Sequence, residues 1–276
     1  MPTVMPMSAW RIGELVKDWR LRRNLSQMDL ALDVHVSTRH LSFVETGRSR
    51  PSPELVLAIA GCLDVPLREQ NSFLLAAGYA PRFSEHSLDD PSMHAVKRSM
   101  QRMLDAHDPY PGVVIDRAWN IVVANQAATA LVADLPPALT GPPTNVYRIS
   151  LHPDGLAAVT KNFDDWATYL LSQLRRSIAL TGDDRLREID AEVRTYPNVA
   201  ALIDQPRTMS WHDPPLLVPL VMDRGDETLS LFTTLTTFGT PRDITLDELA
   251  IELFFPADDH TDRLLRAAPQ MQASTG

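Results

Sequence analysis

The chain has 276 residues, 44% of them hydrophobic, with a formal net charge of −9 and a pI near 5.3. That is enough apolar material for one large core or two ordinary ones, so disorder is not the expected state. A single cysteine, Cys62, excludes an internal disulfide, and eight scattered histidines leave no ligand cluster at metal-binding spacing.

The opening MPTVMPMSAWRIGEL lacks the basic start and apolar run of a signal peptide. The longest apolar stretch, PPLLVPLVM at 214–222, is broken by prolines and falls well short of the roughly 20 residues that span a bilayer. The expectation is a cytoplasmic protein with no membrane partner.

The acidity is not evenly spread. Residues 1–80 carry nine Lys/Arg against eight Asp/Glu, and the remaining 196 residues carry 17 against 27. Within the first part the arginines cluster at 20–23 and 39–50, so a local basic face is expected there. DNA affinity follows local phosphate contacts more than total charge.

In chain order, AWRIGELVKDWRLRR (9–23) spaces Trp10, Ile12, Leu15, Val16, Trp19 and Leu21 as a helix would. Ser26 can N-cap a second helix, QMDLALDV, with Asp29 completing a capping box. After the turn HVS, Ser37 can cap a third helix over 38–46, ended by Gly47. ELVLAIAGCL (54–63) and about 67–77 supply two more. Five short helices, the second and third joined by a tight turn, match a helix-turn-helix arrangement. On a helical wheel Leu41 and Val44 share one side of the third helix. Arg39, Ser42 and Phe43 fall opposite, with Thr38 on the flank. An arginine can bond guanine bidentately and a ring can meet a thymine methyl.

These residues, LRRNLSQMDLA and VSTRHLSFVETGRSRPSPELVLAIAGCL, resemble the lambda-repressor-like helix-turn-helix of the XRE family over 15–80. The resemblance implies a major-groove helix with Thr38, Arg39 and Phe43 at base-reading positions and Ser37 and Ser42 beside them. It also implies phosphate contacts from Gln27, Arg48 and Arg50, and a structural ion pair between Arg20 and Glu45. Few phosphate contacts imply weak nonspecific affinity and binding as a homodimer to two half-sites of a double-stranded operator.

APRFSEHSLDDPSM (80–93) reads as a linker, and HAVKRSMQRMLDA (94–106) as an amphipathic connecting helix. GVVI and WNIVVA flank DRA as strand, turn, strand, and Asn125 can cap a helix over 126–133. NVYRISLHPDG (145–155) ends in a turn, where His152 reads as structural. Phe163, Trp166, Ala167, Leu170, Leu171, Leu174 and Ile178 predict a helix over 163–180, and 184–195 a second one. TMSWH, PLLVPLVMD, TLSLFTTLTTFG and LAIELFFPA then read as strands, with DRGDE (223–227) as a hairpin turn.

This order resembles the MmyB-like ligand-binding domain, which follows an XRE-type helix-turn-helix in bacterial transcription regulators. The resemblance spans 107–267 and implies a PAS-like pocket for a small apolar, fatty-acid-like effector. Candidate liners are Trp119, Trp166, Leu170, Leu174, Trp211 and Phe232, although such a stripe is more often plain core.

No G-x-S-x-G, P-loop or G-x-G-x-x-G occurs, and the pairs Asp164/Asp165, Asp183/Asp184 and Asp258/Asp259 sit at helix starts. No catalytic residue, metal ligand or cofactor is therefore expected.

The expected chain is multidomain. An all-α, five-helix, lambda-repressor-like helix-turn-helix domain covers 9–80, and a linker with its connecting helix covers 81–106. An α+β PAS-like ligand-binding and dimerisation domain, an antiparallel sheet with helices on one face, covers 107–267. A disordered tail covers 268–276. The expected function is sequence-specific regulation of transcription, nucleoid-associated when on DNA. In one alternative the C-terminal domain serves only dimerisation or partner binding. In another the chain is a ligand-binding or catalytic protein whose helix-turn-helix is vestigial or a protein-interaction module.

Overall fold

The computed structural model describes residues 11–204 and 217–273. The strand expected at TMSWH lies outside the described residues, as does Trp211. The chain forms two compact units. The first takes residues up to Ser87 together with Gly239–Asp247, and the second takes Leu88–Phe238 and the chain from Glu248 onward.

The first unit holds α1 (Ile12–Arg22), α2 (Gln27–Asp33), α3 (Thr38–Glu45), α4 (Pro53–Cys62) and α5 (Leu67–Ala76). Local chemistry sets their starts. Ser26 Oγ accepts from Asp29 N at 3.2 Å while Asp29 Oδ2 accepts from Ser26 N at 3.0 Å, a complete capping box. Ser37 caps α3 through His40 N at 3.1 Å, and Gly47 follows that helix at φ 72°. The core gathers Leu15, Val16, Trp19, Leu30, Leu41, Val56, Ile59 and Phe73, all buried.

α1 crosses α3 at Gly13. A Cβ there would lie 2.4 Å from Glu45 O and 2.5 Å from Val44 O, both backbone atoms that cannot swing aside. Gly13→Ala must push the helices apart and is expected to cost about 1–3 kcal/mol, the usual range for overpacking. Chemical denaturation of the purified variant checks it; an unchanged midpoint would contradict the close crossing.

Residues 239–247, which connect two strands of the sheet described below, fold into the first unit with α13 (Ile244–Asp247). Asp247 Oδ2 accepts from Leu67 N at 2.8 Å. This places a carboxylate at the start of α5, whose N-cap residue Pro66 has no capping side chain. Asp243 Oδ2 receives Ser84 Oγ at 3.1 Å and sits 2.7 Å from His86 Nδ1.

The second unit opens with α6 (His94–Asp105), β1 (Gly112–Ile115), β2 (Ile121–Ala124) and α7 (Gln126–Leu131). Then come α8 (Pro137–Thr140), α9 (Val146–Leu151), α10 (Phe163–Thr181), α11 (Asp184–Val193) and α12 (Pro197–Asp204). It closes with β3 (Leu220–Arg224), β4 (Glu227–Thr237), β5 (Ala250–Pro256) and α14 (Asp259–Ala273). α14 thus continues into the stretch 268–276 that was expected to be disordered.

The strands form one antiparallel sheet in the order β2-β1-β5-β4-β3, the α+β, PAS-like organisation expected. β3 and β4 pair Arg224 with Glu227 across a two-residue turn in which Gly225 takes φ 63°. Val113 pairs with Glu252, and Leu231 with Pro256. With the period of two, this puts Val113, Ile115, Leu220, Met222, Leu229, Leu231, Glu252 and Phe254 on one face. The central helix α10 packs its buried residues Trp166, Ala167, Leu170, Leu171 and Leu174 into the core on that side.

Helices do not keep to one face, however. α6 covers the other side, where its buried Leu104 meets Gly112 and Leu253 crowds the same spot. His107 Nε2 lies 2.8 Å from Phe254 O and its ring meets the Phe255 ring edge-on at 4.8 Å. The reason is burial: Met100 and Leu104 are fully covered only because the sheet lies beneath them.

Candidate functional sites: an exposed helix face and an apolar cavity

Helix α3 is held from below and open above. Leu41, Val44 and Glu45 are buried, while Ser37, Thr38, Arg39 and His40 are exposed and Ser42 and Phe43 are half-buried. The Arg39 guanidinium lies 5.3 Å and that of Arg48 6.0 Å from the centre of the Phe43 ring. Phe43 is therefore flanked by two cations, which fix its ring and are themselves held at the surface.

Several arginines of the expected basic face are engaged by other residues of the same unit. Arg20 Nε and Nη2 donate to Glu45 Oε1 and Oε2 at 2.7 and 3.1 Å, and its Nη1 donates to Leu25 O at 2.7 Å. Arg22 pairs with Asp18 at 2.7 Å. Arg23 donates to the carbonyls of Leu63 and Asp64 at 2.9 and 3.1 Å. The cluster at 20–23 thus serves structure.

Arg50, expected to contact phosphate, is exposed but hydrogen-bonded within the fold. Its Nε and Nη2 donate to Ala77 O and Gly78 O at 2.7 and 2.9 Å, and it stacks 4.5 Å over Tyr79. It neutralises the carbonyl end of α5. Gln27 Nε2 donates to Glu45 Oε2 at 2.7 Å, which ties it to the Arg20 pair. Of the expected DNA-facing set, Ser37, Thr38, Arg39, Ser42, Phe43 and Arg48 remain together on one surface. His40, exposed on the same helix, was not anticipated.

The second unit contains a cavity of about 370 Å³. Val113, Ile121 and Ala124 of the first two strands wall it on one side, with Leu220, Glu252 and Phe254 from the later strands. Ala128 and Leu131 of α7, Ile149 and Ser150 of α9, and Trp166 and Leu170 of α10 close it. The volume falls in the range of ordinary small-molecule sites, and the wall is mostly apolar.

Of the aromatic and leucine candidates, Trp166 and Leu170 face this cavity. Leu174 is one turn further along α10, in the solid core. Trp119 lies in the β1–β2 turn at φ 63° and packs on Tyr147 with ring centres 5.0 Å apart. Phe232 needs correction: it alternates away from Leu231, onto the opposite face, and stacks on Phe255 at 5.4 Å.

One residue was missed altogether. Glu252 is buried in the cavity wall at 6% exposure. Burial raises its carboxyl pKa to about 7, and a hydrogen bond with Thr233 pulls weakly the other way. Its Oε2 has no hydrogen-bond partner. The Tyr147 hydroxyl is likewise buried without a partner, and burial, with the nearby Glu252 charge, pushes its pKa far up. The signal was in the sequence: a single carboxylate inside the apolar run LAIELFFPA.

Among the described residues no group of three or more His, Cys, Asp or Glu is placed to hold a metal, and no helix is long and apolar enough to cross a membrane.

Comparison with known proteins identifies both units. A helix-turn-helix family model matches residues 16–70, and the model of the MmyB-like transcription regulator ligand binding domain matches residues 96–268. No curated protein matches the chain. One solved structure found, that of an RNA-binding light-oxygen-voltage receptor, is 12% identical with a TM-score of 0.27. The match covers 96% of this chain and 63% of that one. With the second family model alone covering more than half of its length, the chain belongs to the MmyB-like transcription regulators, DNA-binding proteins that join an XRE-type helix-turn-helix to a ligand-binding domain.

Proposed function

We propose that this regulator binds a near-palindromic operator as a homodimer, reads bases with Thr38, Arg39, Ser42 and Phe43, and takes a small apolar effector in the cavity of its second unit. The effector has the long-chain character of a fatty acid. The observation that carries the reading is an exposed, cation-flanked α3 in the same chain as an apolar cavity of about 370 Å³. With the arginines at 20–23 and Arg50 engaged in the fold, each protomer offers few phosphate contacts. Two half-sites about 34 Å apart then supply the affinity that one lacks. The effector regulates by binding one DNA-affinity state better than the other, since equal affinity would shift nothing.

Arg39→Ala tests the DNA half. It is expected to weaken specific binding by about 1–3 kcal/mol and relax the preference at one base pair. Footprinting on the protein's own upstream region, then fluorescence anisotropy with a base-substitution series, reads both. Unchanged affinity and unchanged preference would show that α3 does not read the groove in this register.

A further inference from the structure

Two guanidiniums at the exposed face of α3 keep their donors available. Arg20, Arg23 and Arg50 donate to acceptors of their own unit, and Arg22 pairs with Asp18. Among the described residues Arg39 and Arg48 make no such hydrogen bond or ion pair, and residues 1–10 contain no Asp or Glu to supply one. Both approach Phe43 instead, Arg39 to 5.3 Å and Arg48 to 6.0 Å from the ring centre. Phe43 is half-buried, so part of its ring stays open beside them. Arg39 and Phe43 stand one helical turn apart on one face and project as a pair. Their separation exceeds one base-pair step of about 3.4 Å and falls short of two, so fork and ring meet neighbouring base pairs.

We infer that α3 reads a 5-methylpyrimidine followed by guanine as one unit. Arg39 takes guanine O6 and N7, and the methyl group of the preceding pyrimidine packs between its guanidinium and the Phe43 ring. This rests on α3 lying in the major groove as proposed above, and it names the base step. Guanine presents two acceptors to a fork, and thymine is the unmodified base with an apolar group in that groove. In right-handed B-DNA the 5-methyl group of a pyrimidine lies against the major-groove edge of the base on its 3′ side. A guanidinium bonded to guanine therefore meets the methyl group of a pyrimidine 5′ to it. Cytosine lacks that group. Adenine would press its N6 amino group against the ring and leave a donor unpaired. 5-Methylcytosine carries the same methyl group in the same place, so 5′-TG-3′ and a methylated 5′-CG-3′ offer α3 one chemistry.

The test starts from a random-sequence duplex library selected on the purified full-length chain. The enriched half-site is expected to contain 5′-TG-3′. Fluorescence anisotropy at one fixed salt concentration then compares the selected duplex with copies in which that thymine is replaced by uracil, cytosine or 5-methylcytosine. Uracil removes the methyl group alone and is expected to weaken binding about fourfold, the worth of one buried methyl group. Cytosine should weaken it at least as much, and 5-methylcytosine should bind more tightly than cytosine by about the same factor. A larger gain for the methylated step than for thymine would make methylated DNA the natural target, and the reverse order makes it thymine. Phe43→Ala, checked for folding by circular dichroism, should bind the thymine and uracil duplexes alike. Arg39→Lys keeps the charge and loses the fork, so it should lose the preference for the guanine. An enriched half-site without this step, or uracil bound as tightly as thymine by the wild type, overturns the inference and leaves the groove reading intact. Enrichment of no sequence sinks the groove reading and the base step with it.

Discussion

Arg20→Ala is expected to lower the stability of the helix-turn-helix unit by about 3–5 kcal/mol, the usual cost of removing one partner of a buried ion pair. Both residues are buried, Arg20 at 7% and Glu45 at 8% exposure, and the contact is bidentate. Without Arg20 the Glu45 carboxylate keeps only Gln27 Nε2, and Leu25 O also loses its donor. Most of the loss is the stranded charge, not the worth of the pair. The double variant Arg20→Met with Glu45→Leu should therefore recover much of it. Urea denaturation of both variants, followed by a helix signal, reads the difference. A loss below about 1 kcal/mol for Arg20→Ala would mean that the pair behaves as a solvated surface contact. Glu45 sits at the end of α3, so the same substitution should also loosen the recognition helix and weaken DNA binding without touching a base-facing residue.

The second large effect concerns Glu252. Its folded-state pKa, about 7, lies above the ordinary carboxyl value of 4.5, so between these values the folded state holds a proton that the unfolded chain has released. Stability of the ligand-stripped protein then falls as pH rises through that window and levels off above it. Each pH unit of the window is worth roughly 1.4 kcal/mol, so the full loss is at most about 3.5 kcal/mol. Tyr147, the titratable neighbour, stays neutral throughout because its pKa is pushed upward. Glu252→Gln removes the ionisation, so the variant should be the more stable protein at alkaline pH and nearly equal to the wild type in acid. Thermal unfolding of both proteins across that range checks the sign. Parallel profiles would show that Glu252 is not desolvated in the folded protein.

Much of the first unit was legible because its determinants are local. The caps Ser26 and Ser37 act on amides three residues away, and Leu41 and Val44 face the core because the helical period puts them on one side. Arg50 was not legible. Its partners are the carbonyls of Ala77 and Gly78, and nothing within a few residues distinguishes it from Arg48, which lies by the Phe43 ring instead. The segment 239–247 carries no mark of its place either: it joins two strands of one unit yet supplies Asp243 and Asp247 to the other.

In the second unit the sheet was readable as alternating or β-branched runs, but the choice of cavity residues was not. The candidate liners were four aromatics and two leucines, whereas the cavity is walled largely by valine, leucine, isoleucine and alanine. Strand parity alone separates Phe232 from Leu231. Which parity faces the cavity depends on α10 covering one face and α6 the other.

By itself, then, the sequence determined what depends on neighbours along the chain: five capped helices with a tight turn after the second, an amphipathic α10, and strands separated by turn residues. Capping and periodicity act over one or two turns, so they are written in order. The tertiary structure decided what depends on burial and partnership. It buried Arg20 against Glu45, bound Arg50 to the carbonyls after α5, left Arg39 and Arg48 around Phe43, sent Phe232 to the far face, and enclosed Glu252 in an apolar wall. A charge behaves as a surface group or a buried one according to what packs over it, and that covering comes from residues distant in the chain.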